Sequence, residues 1–339
     1  MNALPGPRSG LPGLTVEHAF ATDAQALLAD PRTLAVLGFG AVPETGWTED
    51  PRYLRIPLQS LGQPFAFEVW RSDTPVVHGR QDGIAHAGNG ELQFGWLEVE
   101  EAADGILPAA EQVYARLDAF MRNSGYPHLL RIWNYFDAIT EGEGDGERYR
   151  QFCVGRVRGL GAVDTRQLPA ATAIGQRDGR RTLQVYWLAT RTPGLPLENP
   201  RQVSAWHYPR EYGPQSPSFA RAMLPPPGHA ELPLFLSGTA SIVGHASQHV
   251  GSLDAQIDET LANLDSLITA ARIRQPSLPA HLDASSRLKV YVRDAADAEQ
   301  VARRLDQRLD PAVPRILLHA DVCRRELRVE IEGMHGVRT

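Results

Sequence analysis

Apolar positions in the last third of the chain repeat with the two periods of regular structure, about 3.6 residues for a helix and two for a strand. Residues 234–242 (LFLSGTASI) read as a strand breaking into a glycine turn. Over 254–272, Ile257, Leu261, Leu264 and Ile268 recur at helical spacing. In 287–293, Leu288, Val290 and Val292 alternate with polar neighbours, and Asp294 is suited to cap a second helix striped by Val301, Leu305 and Leu309. Two more strands close the unit: 314–322, with Ile316, Leu317 and Leu318, and 326–332 (ELRVEIE), where Leu327, Val329 and Ile331 alternate with charged residues.

The order is strand, helix, strand, helix, strand, strand, and a weaker copy precedes it. A strand at 92–99, a helix at 107–124 (Val113, Leu117, Phe120), a strand at 129–134, a helix at 147–156 and strands at 170–175 and 182–189 repeat the series. The expected fold class is α+β, two related halves of mixed sheet and helix with the active site between them. Residues 1–91 are expected as an elaboration packed on the first half (92–198). A connecting segment (199–233), the second half (234–334) and a short tail (335–339) follow.

The 339 residues are 42% hydrophobic and 22% charged with a formal net charge of −6, enough for an ordinary core in two domains. No apolar run approaches the roughly 20 residues that span a bilayer. The opening MNALPGPRSGLPG lacks the charged start and apolar middle of a secretion signal, so a cytoplasmic protein without a membrane partner is expected. An acidic balance without a lysine-rich stripe argues against nucleic acid as a partner. Cys153 and Cys323 lie far apart and are expected as separate thiols.

Residues 199–222 concentrate the candidate chemistry. Arg201, Arg210 and Arg221, with Arg191 just before them, stand among Trp206, Tyr208, Tyr212 and four prolines. Guanidinium groups on stiff backbone bind planar anions by two-pronged hydrogen bonds. The segment is therefore either a carboxylate or phosphate clamp or an ordinary proline-rich surface loop, and a GC-rich genome would also favour arginine.

Glu330 and Glu332 share a strand face with Arg328. That face is either solvated and charge-balanced, or one carboxyl points into a cavity between the halves, where desolvation keeps its proton available for general acid catalysis. Cys323, seven residues before Glu330, is either a small apolar filler or a catalytic nucleophile sharing one pocket with Glu330, and Cys153 is expected in the core. Tyr149 and Arg156, seven apart on a helix, face the same way and either meet one ligand or form an exposed flank. His245 and His249 have a spacing that suits one metal on a helix, but Gly244 and Gly251 flank them and no third ligand is evident, so no metal is expected. The glycines at 38–40 and 155–161 match no phosphate loop or dinucleotide fingerprint, and there is no Gly-x-Ser-x-Gly elbow.

Taken together, HLLRIWNYFDAI (128–139), RYRQFCVGR (148–156), ATAIG (171–175), the 199–222 segment, LFLSGTASIVGHAS (234–247) and CRRELRVEIEG (323–333) resemble the chorismatase family over about 92–333. The resemblance is nearest to bacterial hydroxybenzoate synthases of xanthomonadin-type pigment and ubiquinone supply. Residues 234–333 are also similar to the YjgF/Rid (chorismate-mutase-like) family. Rid deaminases hold the substrate carboxylate with an arginine in the penultimate strand; here that stretch reads ILLHADV, and imine deamination is not expected.

The resemblance implies chorismate as a small-molecule substrate, with no cofactor, no metal and no obligatory protein partner. It implies Arg156, Arg210 and Arg221 as carboxylate partners, and Tyr149, Tyr208 and Tyr212 as hydroxyl donors or ring walls. Gly238, Thr239 and Ala240 would form a binding turn, with Glu330 as the acid that protonates the enolpyruvyl methylene carbon and Cys323 beside it. Attack by water would give a dihydroxycyclohexadiene carboxylate, and exclusion of water a hydroxybenzoate. Among chorismatases Cys323 resembles the branch forming 3-hydroxybenzoate and Ala240 the hydrolysing one, so 3-hydroxybenzoate together with 4-hydroxybenzoate is the expected output. A noncatalytic Rid-like carboxylate-binding protein and a chorismate hydrolase are the competing readings.

Overall fold

The computed structural model describes residues 13–19, 24–40, 49–62, 65–161, 164–229 and 231–338. Residues 1–12, on which the expectation about a secretion signal rests, lie outside them. The chain opens with β1 (Leu14–Ala19), α1 (Ala24–Ala29), β2 (Thr33–Gly40), β3 (Tyr53–Ile56), β4 (Gln59–Leu61) and β5 (Phe65–Ser72). The first half follows as β6 (Val77–Gln81), β7 (Ile84–Gly88), β8 (Leu92–Glu100), α2 (Ile106–Asn123), β9 (His128–Asp137), α3 (Arg148–Leu160), β10 (Ala170–Gln176) and β11 (Thr182–Thr190). The connecting stretch holds β12 (Leu195–Leu197) and β13 (Ala222–Leu224). The second half is β14 (Leu234–Ala240), the small hairpin β15 (Ile242–Val243) and β16 (Ala246–Ser247), α4 (Leu253–Arg274), β17 (Arg287–Val292), α5 (Ala298–Arg308), β18 (Arg315–His319) and β19 (Val329–His335).

The halves repeat one topology. Strand order β10-β9-β11-β8 in the first sheet matches β18-β17-β19-β14 in the second. In each, the pair β9–β10 or β17–β18 is parallel and the other pairs are antiparallel. Each sheet buries its outer face under its own helices. Leu288, Val290, Val292, Val329 and Ile331 pack on the α4 stripe of Ile257, Leu261, Leu264 and Ile268, and Ile132, Phe136, Leu183 and Val185 pack beneath α2 and α3.

The first ninety residues do more than pad the first half. β6 and β7 extend its sheet, β4 joins the edge of the second sheet beside β18, and β1-β5-β2-β3 forms a third sheet. The inner faces of all three meet in one core that includes Trp70, Trp133, Tyr135, Tyr186 and Tyr291. The expected tail is also structural. β19 runs through Gly333 to His335, and Val337 N–H donates to the Ser285 carbonyl at 2.8 Å.

At its other end β19 starts later than alternation suggested. The backbone over 321–328 is held by side chains instead. Arg293 donates to the carbonyls of Val322 (2.5 Å), Arg324 (2.8 Å) and Leu327 (2.8 Å), and Gln256 bonds the Glu326 carbonyl and the Arg328 N–H. Among the described residues no helix is long and apolar enough to cross a membrane.

Candidate active site

Between the halves lies a cavity of about 420 Å³ walled by α3, β10, the 208–221 segment, β14 and the loop before β19. The wall from α3 is set by close packing. An added Cβ at Gly155 or Gly159 would strike the carbonyl of Leu107 or Glu111, so these glycines let α3 lie tight on α2 and aim Tyr149, Cys153 and Arg156 inward. The opposite wall is tied by Ser237, whose Oγ donates to the Ala220 carbonyl (2.6 Å) and accepts from Ala171 N–H (2.9 Å). Three segments distant in sequence are thereby joined at one hydroxyl.

Glu330 forms the floor. Its side chain is buried, and among the described residues it has no hydrogen-bond or ion-pair partner. Burial, and then the negative charge of Glu332, push its carboxyl up to about 8, against the pull of Arg131, Arg221 and Arg293. It lies so close to β14 that a Cβ on Gly238 would collide with its carboxyl and come within 3.2 Å of Thr172 Oγ1.

Glu332, two residues on and on the same face, is opposite in character. It accepts from Arg131 Nη2 (2.6 Å), Trp133 Nε1 (2.8 Å), Tyr291 OH (2.8 Å) and Thr172 Oγ1, and pairs with Lys289 Nζ at 3.1 Å. These cations and donors outweigh burial and hold it below the usual carboxylate range. Of the three charged residues expected on one strand face, the two carboxyls are interior, one neutral and one charged, while Arg328 is part-exposed and pairs with Asp297.

Three guanidinium groups line the cavity without a carboxylate within ion-pair distance among the described residues: Arg156, Arg221 and Arg324. Arg156 is buried over the Tyr114 ring (5.0 Å), and its Nε has no partner. Arg221 donates to Tyr208 OH (2.7 Å) and the Val203 carbonyl (3.0 Å), leaving its Nε unsatisfied. Arg324 lies over the Tyr212 ring at 4.1 Å and donates to the His245 carbonyl. Such groups accept planar anions in two-pronged contacts.

The structure does not bring every expected residue together. Arg210 is exposed, points out of the cavity and forms a two-pronged pair with Asp145 (2.8 and 2.5 Å). Arg201 is bound to Glu259 and Asn263, and Arg191 to the Gly90 carbonyl. Only Arg221 of the proline-rich segment's arginines reaches the cavity. Thr239 turns its hydroxyl back to the Ser237 carbonyl (2.9 Å), whereas Gly238 and Ala240 line the wall. Tyr149, Tyr208 and Tyr212 line it too, and burial holds the Tyr149 hydroxyl in its neutral form.

Cys153 and Cys323 both face the cavity as free thiols. Burial raises Cys153 to about 12 and Cys323 higher still, so both are neutral near pH 7 and Cys323 serves as a small wall rather than a thiolate. His245 meets Tyr212 OH at 3.1 Å and His249 meets Glu259 at 3.2 Å. Arg324 escaped sequence reasoning because it stands beside Arg325 in a charged run; its signal was position, one residue from Cys323.

Three arginines without carboxylate partners stand around one neutral buried carboxyl on an α+β scaffold, an arrangement able to hold an anion and to give it a proton. A family model described as Chorismatase FkbO/Hyg5-like, N-terminal, matches residues 68–189. The chain is 37% identical over 313 residues to a "3-hydroxybenzoate synthase" from Streptomyces hygroscopicus, covering 89% of this chain and 91% of that protein. To a "Chorismatase" of the same organism it is 39% identical over 274 residues, 79% of this chain and 78% of that one. A crystal structure of a chorismatase superposes with a TM-score of 0.82 at 34% identity, covering 96% of this chain and 98% of that one. The chain belongs to the chorismatase family.

Proposed function

We propose that the protein cleaves chorismate to pyruvate and a hydroxybenzoate, with Glu330 as the proton donor. The observation that carries this reading is the unpaired, neutral Glu330 carboxyl facing a cavity whose three guanidinium groups lack carboxylate partners. Chorismate carries two carboxylates and an enol ether. Arg156, Arg221 and Arg324 hold the carboxylates, and the Tyr149 hydroxyl remains a neutral donor beside them.

Glu330 gives its proton to the terminal methylene carbon of the enolpyruvyl group, placing positive charge on the ether-bearing carbon. Pyruvate leaves with the ether oxygen as its keto oxygen, and the Glu330 carboxylate is placed to take a proton back. Loss of the carbon-4 proton from the ring gives 4-hydroxybenzoate; attack of the 4-hydroxyl oxygen on carbon 3 as pyruvate leaves, then breakage of its bond to carbon 4, return of a proton to the oxygen and loss of one ring proton, gives 3-hydroxybenzoate. No water is consumed, so the atoms of chorismate equal those of pyruvate plus hydroxybenzoate. Attack of water instead would give the dihydroxycyclohexadiene carboxylate.

For the product, 3-hydroxybenzoate is supported by the relative named for it and by Cys323, and a share of 4-hydroxybenzoate by the pairing of Cys323 with Ala240. Incubation with chorismate, followed by chromatography of the aromatic acids and coupled assay of pyruvate, tests this. The reading expects both product types in equal moles. Binding without turnover would replace it with a noncatalytic carboxylate-binding protein.

A further inference from the structure

Lys289 is the single lysine of the chain, among many arginines. It is buried at the centre of the molecule, 3.1 Å from Glu332 and 3.2 Å from Glu68, which comes from the third sheet. A compact ammonium can bridge two carboxylates from different sheets where a planar fork would need more width. Its third neighbour is Tyr186 OH at 3.1 Å. Glu332 is therefore gripped from three strands: β9 through Arg131 and Trp133, β10 through Thr172, and β17 through Lys289 and Tyr291.

The groups facing Glu330 divide by sign. Glu332 stands on β19 itself, while Arg131 comes from β9, Arg221 from the connecting segment and Arg293 from the end of β17. Tyr149 of α3 and Cys323 of the preceding loop face it as neutral groups. With Glu332 charged, the cations behind Glu330 are offset. Without it, Arg131 would stand uncompensated and draw the proton off.

We propose that Glu332, locked by Lys289, Arg131, Trp133 and Tyr291, is a positioning residue whose fixed negative charge holds the neighbouring Glu330 carboxyl in its acid form. The inference rests on the reading of Glu330 as the proton donor. Glu332 does not line the cavity. It acts through the field it places on its neighbour, and Thr172 links the two, since its hydroxyl donates to Glu332 while accepting from the Gly238 N–H (3.0 Å) that backs the Glu330 carboxyl.

The test is direct titration of Glu330 by carbon-13 NMR of protein labelled at glutamate carboxyls, assigned with Glu330→Gln, alongside the pH profile of kcat/KM for chorismate cleavage. In Glu332→Gln the Glu330 midpoint and the basic limb of kcat/KM are expected to fall together by at least about one pH unit, a tenfold change in the acid-to-carboxylate ratio. Glu332→Asp keeps the charge and is expected to leave the midpoint near its original place while lowering kcat through lost alignment.

Should Glu332→Gln fail to fold, the double variant Lys289→Met with Glu332→Gln removes both members of the pair. The same downward shift is expected, because Lys289 is not among the groups that act strongly on Glu330. An unchanged midpoint in a folded variant that still cleaves chorismate overturns the role of Glu332 alone. A wild-type protein that leaves chorismate intact overturns the reading of Glu330 as donor, whatever its midpoint.

Discussion

A glutamic acid in water loses its proton near pH 4.5, and Glu330 is pushed up to about 8 because burial, and then the charge of Glu332, disfavour its carboxylate. The acid form therefore predominates below about pH 8 and is lost above it, so kcat/KM is expected to be flat through neutrality and to fall about tenfold per pH unit beyond that limb. A pH–rate series checks this, and a basic limb near pH 5 would refute it. Glu330→Gln keeps shape but lacks the proton, and kcat is expected to fall by roughly 10²- to 10⁴-fold with substrate binding retained, as read by calorimetry.

The arginines separate in the same way. Removing a charge-assisted contact costs about 1.5–3 kcal/mol, so Arg324→Gln is expected to raise KM roughly ten- to a hundredfold. Arg210→Gln, whose partner is Asp145 at the surface, should leave KM within about twofold, as exposed pairs contribute little. Steady-state kinetics of the two variants distinguishes the clamp described here from one centred on residue 210. Sequence could place Arg156 and Arg221 on plausible faces. It had no means of telling that Arg210 would find an aspartate 65 residues away.

At the level of elements, periodicity located the helices and strands of both halves, because each buries one face and exposes the other to different neighbours. It failed where side chains rather than a ladder satisfy the backbone, as at 321–328, where Arg293 and Gln256 fix the loop that carries Cys323 and Arg324. The β14–β19 pairing is irregular between Leu236 and Thr239, and Gly238 sits in that interval against Glu330. Gly238→Ala is expected to displace the Glu330 carboxyl and lower kcat at least about tenfold while circular dichroism stays unchanged, since a shift of even an ångström in a reacting group is strongly felt. Wild-type kcat in that variant would show that the close approach is unnecessary.

Across the whole molecule, two halves were legible as repeated patterns, but the third sheet was not. Its strands are separated by proline- and glycine-bearing stretches and belong together only through long-range pairing of β1 with β5, β5 with β2 and β2 with β3. The central ion network was equally hidden, since Glu68, Arg131, Lys289 and Glu332 are 43 to 264 residues apart in sequence and meet where three sheets converge. Removing its hub takes the lysine charge from two buried carboxylates, and Lys289→Met is expected to destabilise the protein by about 3–5 kcal/mol in urea unfolding. A loss below about 1 kcal/mol would mean that the network is not what joins the sheets.

The central claim, that Glu330 protonates the enolpyruvyl methylene carbon, is tested most directly by running the reaction in deuterium oxide and trapping the pyruvate at once as lactate. The acid exchanges its proton with solvent before each turnover, so the account predicts one deuterium in the methyl group of the trapped product, formed by the wild type and lost with activity in Glu330→Gln. A methyl group free of solvent deuterium would mean that its hydrogen came from the substrate ring, and would contradict the account.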